Sequence, residues 1–274
     1  MGHSSFRSEY LPYLFAAKAP SRLPLQCSNY LSCSHRCSKP SSANRFFRCT
    51  QCFGRRILCA SCLLDAHQFL PFHWPEVWWK DTLPARYGYF KRTSLVDLGL
   101  QVGLGHDGAF CPQTHENDAF RMTILHTTGQ HTVSFRPCAC SGTEIWQQLL
   151  GVDIFPATEK SPQSGFTFEV LRHQRCFNLR AKTSLKEYYD ALVDLTLVPL
   201  VIRAPNQLTL HNLQTLYDQL RLVVRLYRIL TTHMRAGRSD ASAPLKNGEL
   251  CVICPACPQP GVNLPERWDS DPLK

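Results

Sequence analysis

Residues 48–73 read RCTQCFGRRILCASCLLDAHQFLPFH, and the cysteine and histidine spacing in this stretch predicts a metal site. Six soft or borderline metal ligands fall within it: Cys49, Cys52, Cys59, Cys62, His67 and His73. Two thiolates three positions apart can converge on one tetrahedral Zn²⁺ ion at about 2.3 Å per Zn–S bond. Because two such pairs are followed by two histidines, the pattern favours zinc over a disulfide framework.

Two complete four-ligand sites require two further ligands, and the upstream sequence offers three cysteines. If Cys33 and Cys37 form the opening pair, the ligand order predicts a cross-brace, in which two zinc sites interleave along the chain. The first expected site consists of Cys33, Cys37, Cys59 and Cys62. The second expected site consists of Cys49, Cys52, His67 and His73. Cys27 is an alternative to one member of the opening pair, and the sequence does not decide between them.

Length and composition indicate a folded protein without a membrane segment. With 274 residues and 44% hydrophobic content, the chain can bury a core, and we expect one or two domains. It contains no run of about eighteen apolar residues and no convincing secretory signal. Fourteen cysteines in such a chain are expected to be reduced, and either to bind metal or to be buried as thiols.

Basic residues are concentrated towards the cysteine-rich end. The formal net charge is +9, and residues 1–100 contain thirteen Lys and Arg against five Asp and Glu. Four arginines lie close to the cysteine pairs, together with Phe46 and Phe47: Arg45, Arg48, Arg55 and Arg56. Cations neutralise phosphates and aromatic rings stack on bases, so this patch predicts DNA as a partner. A solvated basic face around a small zinc fold is the alternative.

A further group of ligands surrounds a predicted β-hairpin. Residues 120–135, FRMTILHTTGQHTVSF, contain two alternating β-branched runs about a Thr-Thr-Gly-Gln turn, which is typical of a hairpin. Strand pairing would bring together four residues beyond the outer ends of the strands: His106, Cys111, Cys138 and Cys140. The spacing Cys-x-Cys is less diagnostic than Cys-x2-Cys. The sequence therefore leaves open whether these residues form a third zinc site or are buried thiols without metal.

The remaining sequence predicts helices. Ser184 and Glu187 fit a capping box at a helix start, and apolar spacing over residues 213–230 predicts a long amphipathic helix that ends near Gly237. We therefore expect an α+β fold with a small zinc-stabilised cross-brace module, then a β-hairpin region and a helical region. The expected divisions are a loosely ordered leader, a zinc-binding cysteine cluster with the hairpin, a helical region, and a linker with a tail: 1–44, 45–141, 142–240 and 241–274. The role of three tail cysteines stays open: Cys251, Cys254 and Cys257.

Several motifs occur in a specific joint order along about residues 45–268. They are RCTQC, CASC, PFH, SLVDLGLQVGLGH with Cys111, CAC, QLLGVDIFPATEKSPQSGFTFEVL, KTSLKEYY, RAGR and NGELCVICPACPQPGVNLPERW. In this order they resemble the N-terminal region of KDZ (Kyakuja-Dileera-Zisupton) transposases, which are known mainly from fungi. The resemblance is strongest to the CxC-type cysteine cluster associated with those transposases.

The resemblance implies a zinc-dependent DNA-binding part of a mobile-element protein that works in the nucleus. In such transposases a ribonuclease-H-like catalytic domain follows the CPACP segment, and no residue of this chain matches its carboxylates. We therefore expect a truncated or degenerate copy that is not an enzyme and has no catalytic residues.

Two other classes of protein provide alternatives to this interpretation. The cross-brace ligand order also resembles B-box and ZZ-type domains, which bind proteins, so a protein-interaction adaptor is the main alternative function. A zinc hydrolase or deaminase is disfavoured because the chain has no H-E-x-x-H motif. The pair Cys254 and Cys257 also lacks the histidine motif and the preceding proline that zinc deaminases carry.

Overall fold

The structure of the protein is a computed structural model, and it describes only part of the chain. The described residues are 3–18, 27–29, 31, 45–80, 88–140, 142–197, 207–240, 242–245, 248–250, 258, 264 and 270. Some predicted metal ligands and all three tail cysteines lie outside the described residues: Cys33, Cys37, Cys251, Cys254 and Cys257.

The predicted α+β fold is confirmed, and its first part contains a small antiparallel sheet. This part contains the elements α1 (His3–Lys18), β1 (Phe47–Cys49), α2 (Ala60–His67), β2 (Pro75–Lys80) and β3 (Gly88–Arg92). The strand order is β1-β2-β3, with Phe47 opposite Val77 and Cys49 opposite Pro75. The helix α1 lies in the segment that we expected to be a loosely ordered leader, and it was not predicted.

A five-stranded mixed sheet follows, in the order β4-β6-β5-β8-β7. Its strands are β4 (Gln101–Gly103), β5 (Phe120–His126), β6 (Gly129–Arg136), β7 (Ile154–Pro156) and β8 (Ser164–Thr167). The predicted hairpin is confirmed as β5 and β6, which pair in antiparallel register about Thr127 and Thr128. Strand β4 runs parallel to β6, and β8 runs parallel to β5.

Strands β7 and β8 lie inside the region that we expected to be helical, and this expectation was therefore wrong for residues 154–156 and 164–167. Both are short and lack a clear alternation of polar and apolar residues, so periodicity gave no signal for them. Gly165 permits the close approach of the neighbouring strands. A Cβ atom at that position would lie 2.9 Å from Ile154 Cγ2 and 3.2 Å from Ile124 Cδ1.

Four described helices follow the hairpin along the chain: α3 (Ile145–Gly151), α4 (Phe168–Ala181), α5 (Leu185–Leu197) and α6 (Gln207–Arg235). The capping box is confirmed, because the Ser184 N–H donates to Glu187 and the Glu187 N–H donates to Ser184 Oγ. The predicted long helix is also confirmed. The chain divides into the compact units Met1–Val223 and Val224–Lys274, with the boundary inside α6. Among the described residues, no helix combines the length and apolar character needed to span a membrane.

Two apolar clusters form the core of the first unit. The cluster beneath the small sheet contains Cys27, Phe47, Leu58, Cys62, Leu63, Val77, Leu95 and Leu100. The cluster beneath the larger sheet contains Leu104, Met122, Ile124, Val133, Phe135, Leu149 and Ile154. Val102 packs against both clusters, so the core continues from the cysteine-rich segment into the hairpin region.

Candidate metal centres and nucleic-acid interface

The fold gathers cysteines and histidines into three groups whose ligand atoms lie within 4.8 Å of one another. We call Cys49, Cys52, His67 and His73 group A. We call Cys27, Cys59 and Cys62 group B. We call His106, Cys111, Cys138 and Cys140 group C. Each group could hold a metal ion, and groups A and C contain the same four residues that the sequence predicted.

Group A has the spacing of ligands around a single tetrahedral ion. Cys49 Sγ lies 3.4 Å from His73 Nδ1, and Cys52 Sγ lies 3.4 Å from His67 Nε2 and 3.5 Å from His73 Nδ1. A tetrahedral Zn²⁺ ion with Zn–S of about 2.3 Å and Zn–N of about 2.0 Å holds sulfur and nitrogen about 3.5 Å apart. The donor set, two thiols and two imidazoles, therefore fits zinc without rearrangement.

Local structure explains how group A forms. The pairing of Cys49 with Pro75 brings β1 beside the segment that contains His73, and the Trp74 N–H donates to Gln51 Oε1 at 2.8 Å. His67 is buried at the end of α2, with its Nδ1 2.8 Å from the Leu63 carbonyl oxygen. If Nδ1 carries the proton and donates it there, the Nε2 lone pair points towards Cys52. Metal-binding histidines are usually oriented in this way.

Burial shifts the protonation equilibria of the histidines and of one thiol in group A. Burial lowers the pKa of His67, and burial together with the charge of His67 lowers the pKa of His73. Both imidazoles are therefore held neutral, which is the form that binds metal. Burial raises the pKa of the Cys49 thiol to about 11. A divalent cation would offset this penalty, because it stabilises the thiolate.

Group C lies beyond the open ends of the hairpin strands. Cys138 Sγ lies 3.4 Å from His106 Nε2, and Cys111 Sγ lies 3.4 Å from Cys140 Sγ. This sulfur–sulfur distance is far longer than the about 2.0 Å of a disulfide. Three thiols and one imidazole form a common structural zinc donor set.

The backbone around group C is held in place by a residue that sequence reasoning missed. The buried Gln148 side chain accepts a hydrogen bond from the Cys138 N–H at 2.8 Å and donates to the Cys138 carbonyl at 2.9 Å. Gly105 lies so close that a Cβ atom there would be 2.6 Å from Cys138 Cβ. These contacts fix the position of Cys138, whereas Cys140 and His106 are exposed.

The thiols of group C differ in their tendency to ionise. Burial opposes ionisation of Cys111, but hydrogen bonds from backbone and side-chain groups lower its pKa to about 5. The hydrogen bond with Cys111 and burial raise the pKa of Cys140 to about 11. Group C therefore contains one thiol that ionises readily beside one that does not, and a cation would favour ionisation of both.

Group A is coupled to the hairpin through the residues on either side of His73. The Trp74 indole N–H donates to the Thr128 carbonyl at 2.9 Å, and the Thr128 hydroxyl donates to the Phe72 carbonyl at 2.8 Å. The Trp74 ring also packs 4.3 Å from the buried His131 ring. These contacts join the cysteine-rich module to the hairpin region that follows it.

The predicted basic patch separates into one buried arginine and three exposed ones. Arg48 is buried, and its Nε donates to Glu76 Oε2 at 2.7 Å while its guanidinium lies 3.8 Å from the centre of the Phe90 ring. Arg48 is therefore a packing residue in this fold, which differs from our expectation that it faces nucleic acid. The other three are exposed: Arg45, Arg55 and Arg56.

Exposed aromatic rings accompany the remaining cations. Phe53 is fully exposed, in the same loop as Arg55 and Arg56. Trp79 is also exposed, with the Arg45 guanidinium 5.6 Å and the Lys91 ammonium 5.4 Å from its ring centre. The sequence analysis did not identify Phe53 or Trp79 as part of this surface. Their exposure offers flat apolar surfaces beside positive charge.

Residues 95–197 match a family model described as a CxC2 like cysteine cluster associated with KDZ transposases. The predicted resemblance to a cysteine cluster associated with KDZ transposases is confirmed over those residues. The matched segment contains group C, whereas groups A and B precede it. No curated protein and no solved structure matches the chain.

Proposed function

We propose that this chain, which carries a cysteine cluster associated with KDZ transposases, is a zinc-dependent DNA-binding portion of such a protein and works in the nucleus. Zinc is the metal of groups A and C in this proposal. The proposed role is structural, without catalytic activity in this portion. The observation that carries the proposal is group A, a four-ligand set with zinc-like spacing that supports an exposed basic and aromatic loop.

The chemistry of the ligand sets supports a structural role for the metal. Groups A and C each contain four cysteine and histidine ligands. Four protein ligands complete a tetrahedral zinc ion, which leaves no position for a reactive water. The free energy of metal binding then stabilises the fold. We therefore expect the metal to order the module and not to act on a substrate.

The loop of residues 53–58 is the favoured contact with DNA. It begins after Cys52 of group A and ends before Cys59 of group B, so both of its ends are tied to metal-ligand positions. Its exposed side chains include Phe53, Arg55 and Arg56. Two guanidinium groups can contact phosphates, and an exposed phenyl ring can stack on a base.

A titration of the zinc-loaded protein with labelled duplex and single-stranded DNA at several salt concentrations tests this proposal. We expect affinity that falls as salt rises, because phosphate contacts release counterions. The charge reversal Arg55→Glu with Arg56→Glu should abolish most of this binding. The matched control, Arg172→Glu with Arg180→Glu, reverses two exposed arginines on α4 and should retain more binding than the loop variant.

The same titration separates DNA binding from the protein-interaction alternative. Equal binding by the loop variant and the α4 control would contradict the proposed interface. Absence of binding by the zinc-loaded protein at low salt would contradict the proposed function. That second result would favour a protein-interaction adaptor of the B-box or ZZ type.

A further inference from the structure

Group B places a cysteine that we had treated only as an alternative beside two predicted zinc ligands. Cys27 is 0% exposed, and its Sγ lies within 4.8 Å of the Sγ atoms of Cys59 and Cys62. The sequence-based expectation assigned Cys59 and Cys62 to the same ion as Cys33 and Cys37. Among the described residues, Cys27 is the cysteine that completes a three-thiol group with that pair.

Backbone hydrogen bonds hold Cys27 in this position. The Ser28 N–H donates to the Ile57 carbonyl at 2.7 Å, which fixes the residue after Cys27 against the chain just before Cys59. The Cys59 N–H donates to Cys27 Sγ at 3.4 Å. This contact holds the Cys27 sulfur beside the residue that precedes α2.

The other two thiols lie at the start of α2. Cys59 is the residue that precedes the helix, and its Sγ lies 3.2 Å from Ser61 Oγ in the first turn. Cys62 is buried in the first turn. The first turn of α2 therefore places both sulfur atoms within 4.8 Å of Cys27 Sγ.

The surroundings of group B favour a cation over free thiolates. Phe47, Leu58 and Leu63 form part of the apolar cluster that includes Cys27 and Cys62. Ionised thiols in such surroundings are unfavourable without a compensating charge. Protonated thiols are the alternative, but such thiols could be buried separately. The convergence of three sulfur atoms is instead the arrangement that a shared metal ion requires.

We propose that group B is a thiolate-rich zinc site in which Cys27 is a ligand together with Cys59 and Cys62. Zinc binding releases the protons of the three thiols, and three thiolates then coordinate the ion. Along the chain, one ligand of group B precedes the cysteines of group A, and the other two lie between those cysteines and the histidines. The two sites are therefore interleaved as in a cross-brace. This site would exist whether or not the protein binds DNA.

Cadmium NMR of the full chain loaded with Cd²⁺ tests the proposal, because the chemical shift of the ion reports how many thiolates bind it. A resonance that disappears in Cys62→Ser identifies group B. We expect Cys27→Ser to remove or shift the same resonance while the resonances of groups A and C are retained. The control Cys176→Ser changes an exposed cysteine on α4 and should leave the spectrum unchanged.

Two results would overturn the proposal. The first is a wild-type spectrum without any resonance that depends on Cys62. The second is a Cys27→Ser spectrum in which that resonance is unchanged. If Cys27→Ser instead unfolds the module, Cys27→His decides, because it retains a ligand. A group B resonance shifted towards a mixed sulfur and nitrogen set would support the proposal, and an unshifted or absent resonance would refute it. Failure of DNA binding would leave these outcomes unaffected.

Discussion

Substitution of Arg48 by methionine should destabilise the cysteine-rich module, although the sequence predicted this arginine to be a DNA contact. The side chain is 8% exposed, and its partner Glu76 is 19% exposed. Removal of one partner from a buried ion pair costs about 3–5 kcal/mol. Glu76 retains some contact with water and methionine can keep the apolar contact with Phe90. We therefore expect a loss of about 2–3 kcal/mol in the free energy of unfolding.

The assay is urea unfolding at a fixed concentration of free zinc, because bound zinc itself shifts apparent stability. The double variant Arg48→Met with Glu76→Met should lose less than the sum of the single variants, by about 1 kcal/mol or more, since the two side chains interact directly. The control Arg45→Met alters an exposed arginine and should change stability by less than about 0.5 kcal/mol. Two results would refute a structural role for Arg48. The first is a stability loss in the double variant equal to the sum of the losses in the single variants. The second is a loss in Arg48→Met as small as the loss in Arg45→Met.

Two further predictions concern the hairpin region. Gly105→Ala places a methyl group against Cys138, so we expect the metal affinity of group C to fall by about tenfold or more. Competition with a chromophoric chelator measures this affinity. The control Gly151→Ala adds a methyl group where the surrounding space is open, and it should leave the affinity unchanged. Burial lowers the pKa of His131 to about 3, so the unfolded chain binds a proton at this residue that the folded chain does not, and stability should fall with decreasing pH. Between about pH 6.5 and about pH 5, the titration of His131 should lower the free energy of unfolding by about 2 kcal/mol. If the stability of His131→Phe depended on pH as strongly as that of the wild type, His131 would not be the residue responsible.

Local spacing was sufficient to predict the parts of the candidate site that depend on short segments. Cys49 and Cys52 lie in one turn, and His67 follows on a short helix. Because these segments are close in sequence, their order along the chain limits which ligands can bind the same ion. The hairpin pattern likewise predicted that the residues beyond its strand ends, from His106 to Cys140, would converge. The capping box of Ser184 and Glu187 predicted the start of α5, and hydrophobic periodicity predicted α6 because its apolar spacing repeats over several turns.

The features that the sequence did not reveal depend on contacts between distant segments. Arg48 is buried because β1 pairs with β2, which brings it to Glu76, 28 positions away. Cys27 reaches Cys59 across 32 positions, and spacing alone cannot rank it against nearer cysteines. Strand β8 pairs with β5, which lies far earlier in the chain, and β7 pairs with β8. In each case tertiary pairing, and not local preference, determined the outcome.

Native mass spectrometry of protein produced with zinc available tests the central claim most directly. We predict at least two bound zinc ions, of which one is lost in the variant Cys49→Ser with Cys52→Ser and one in the variant Cys138→Ser with Cys140→Ser. Chelation of the wild-type protein should then unfold the cysteine-rich module and abolish DNA binding. Folded wild-type protein without bound zinc would contradict the claim that zinc organises this part of the chain.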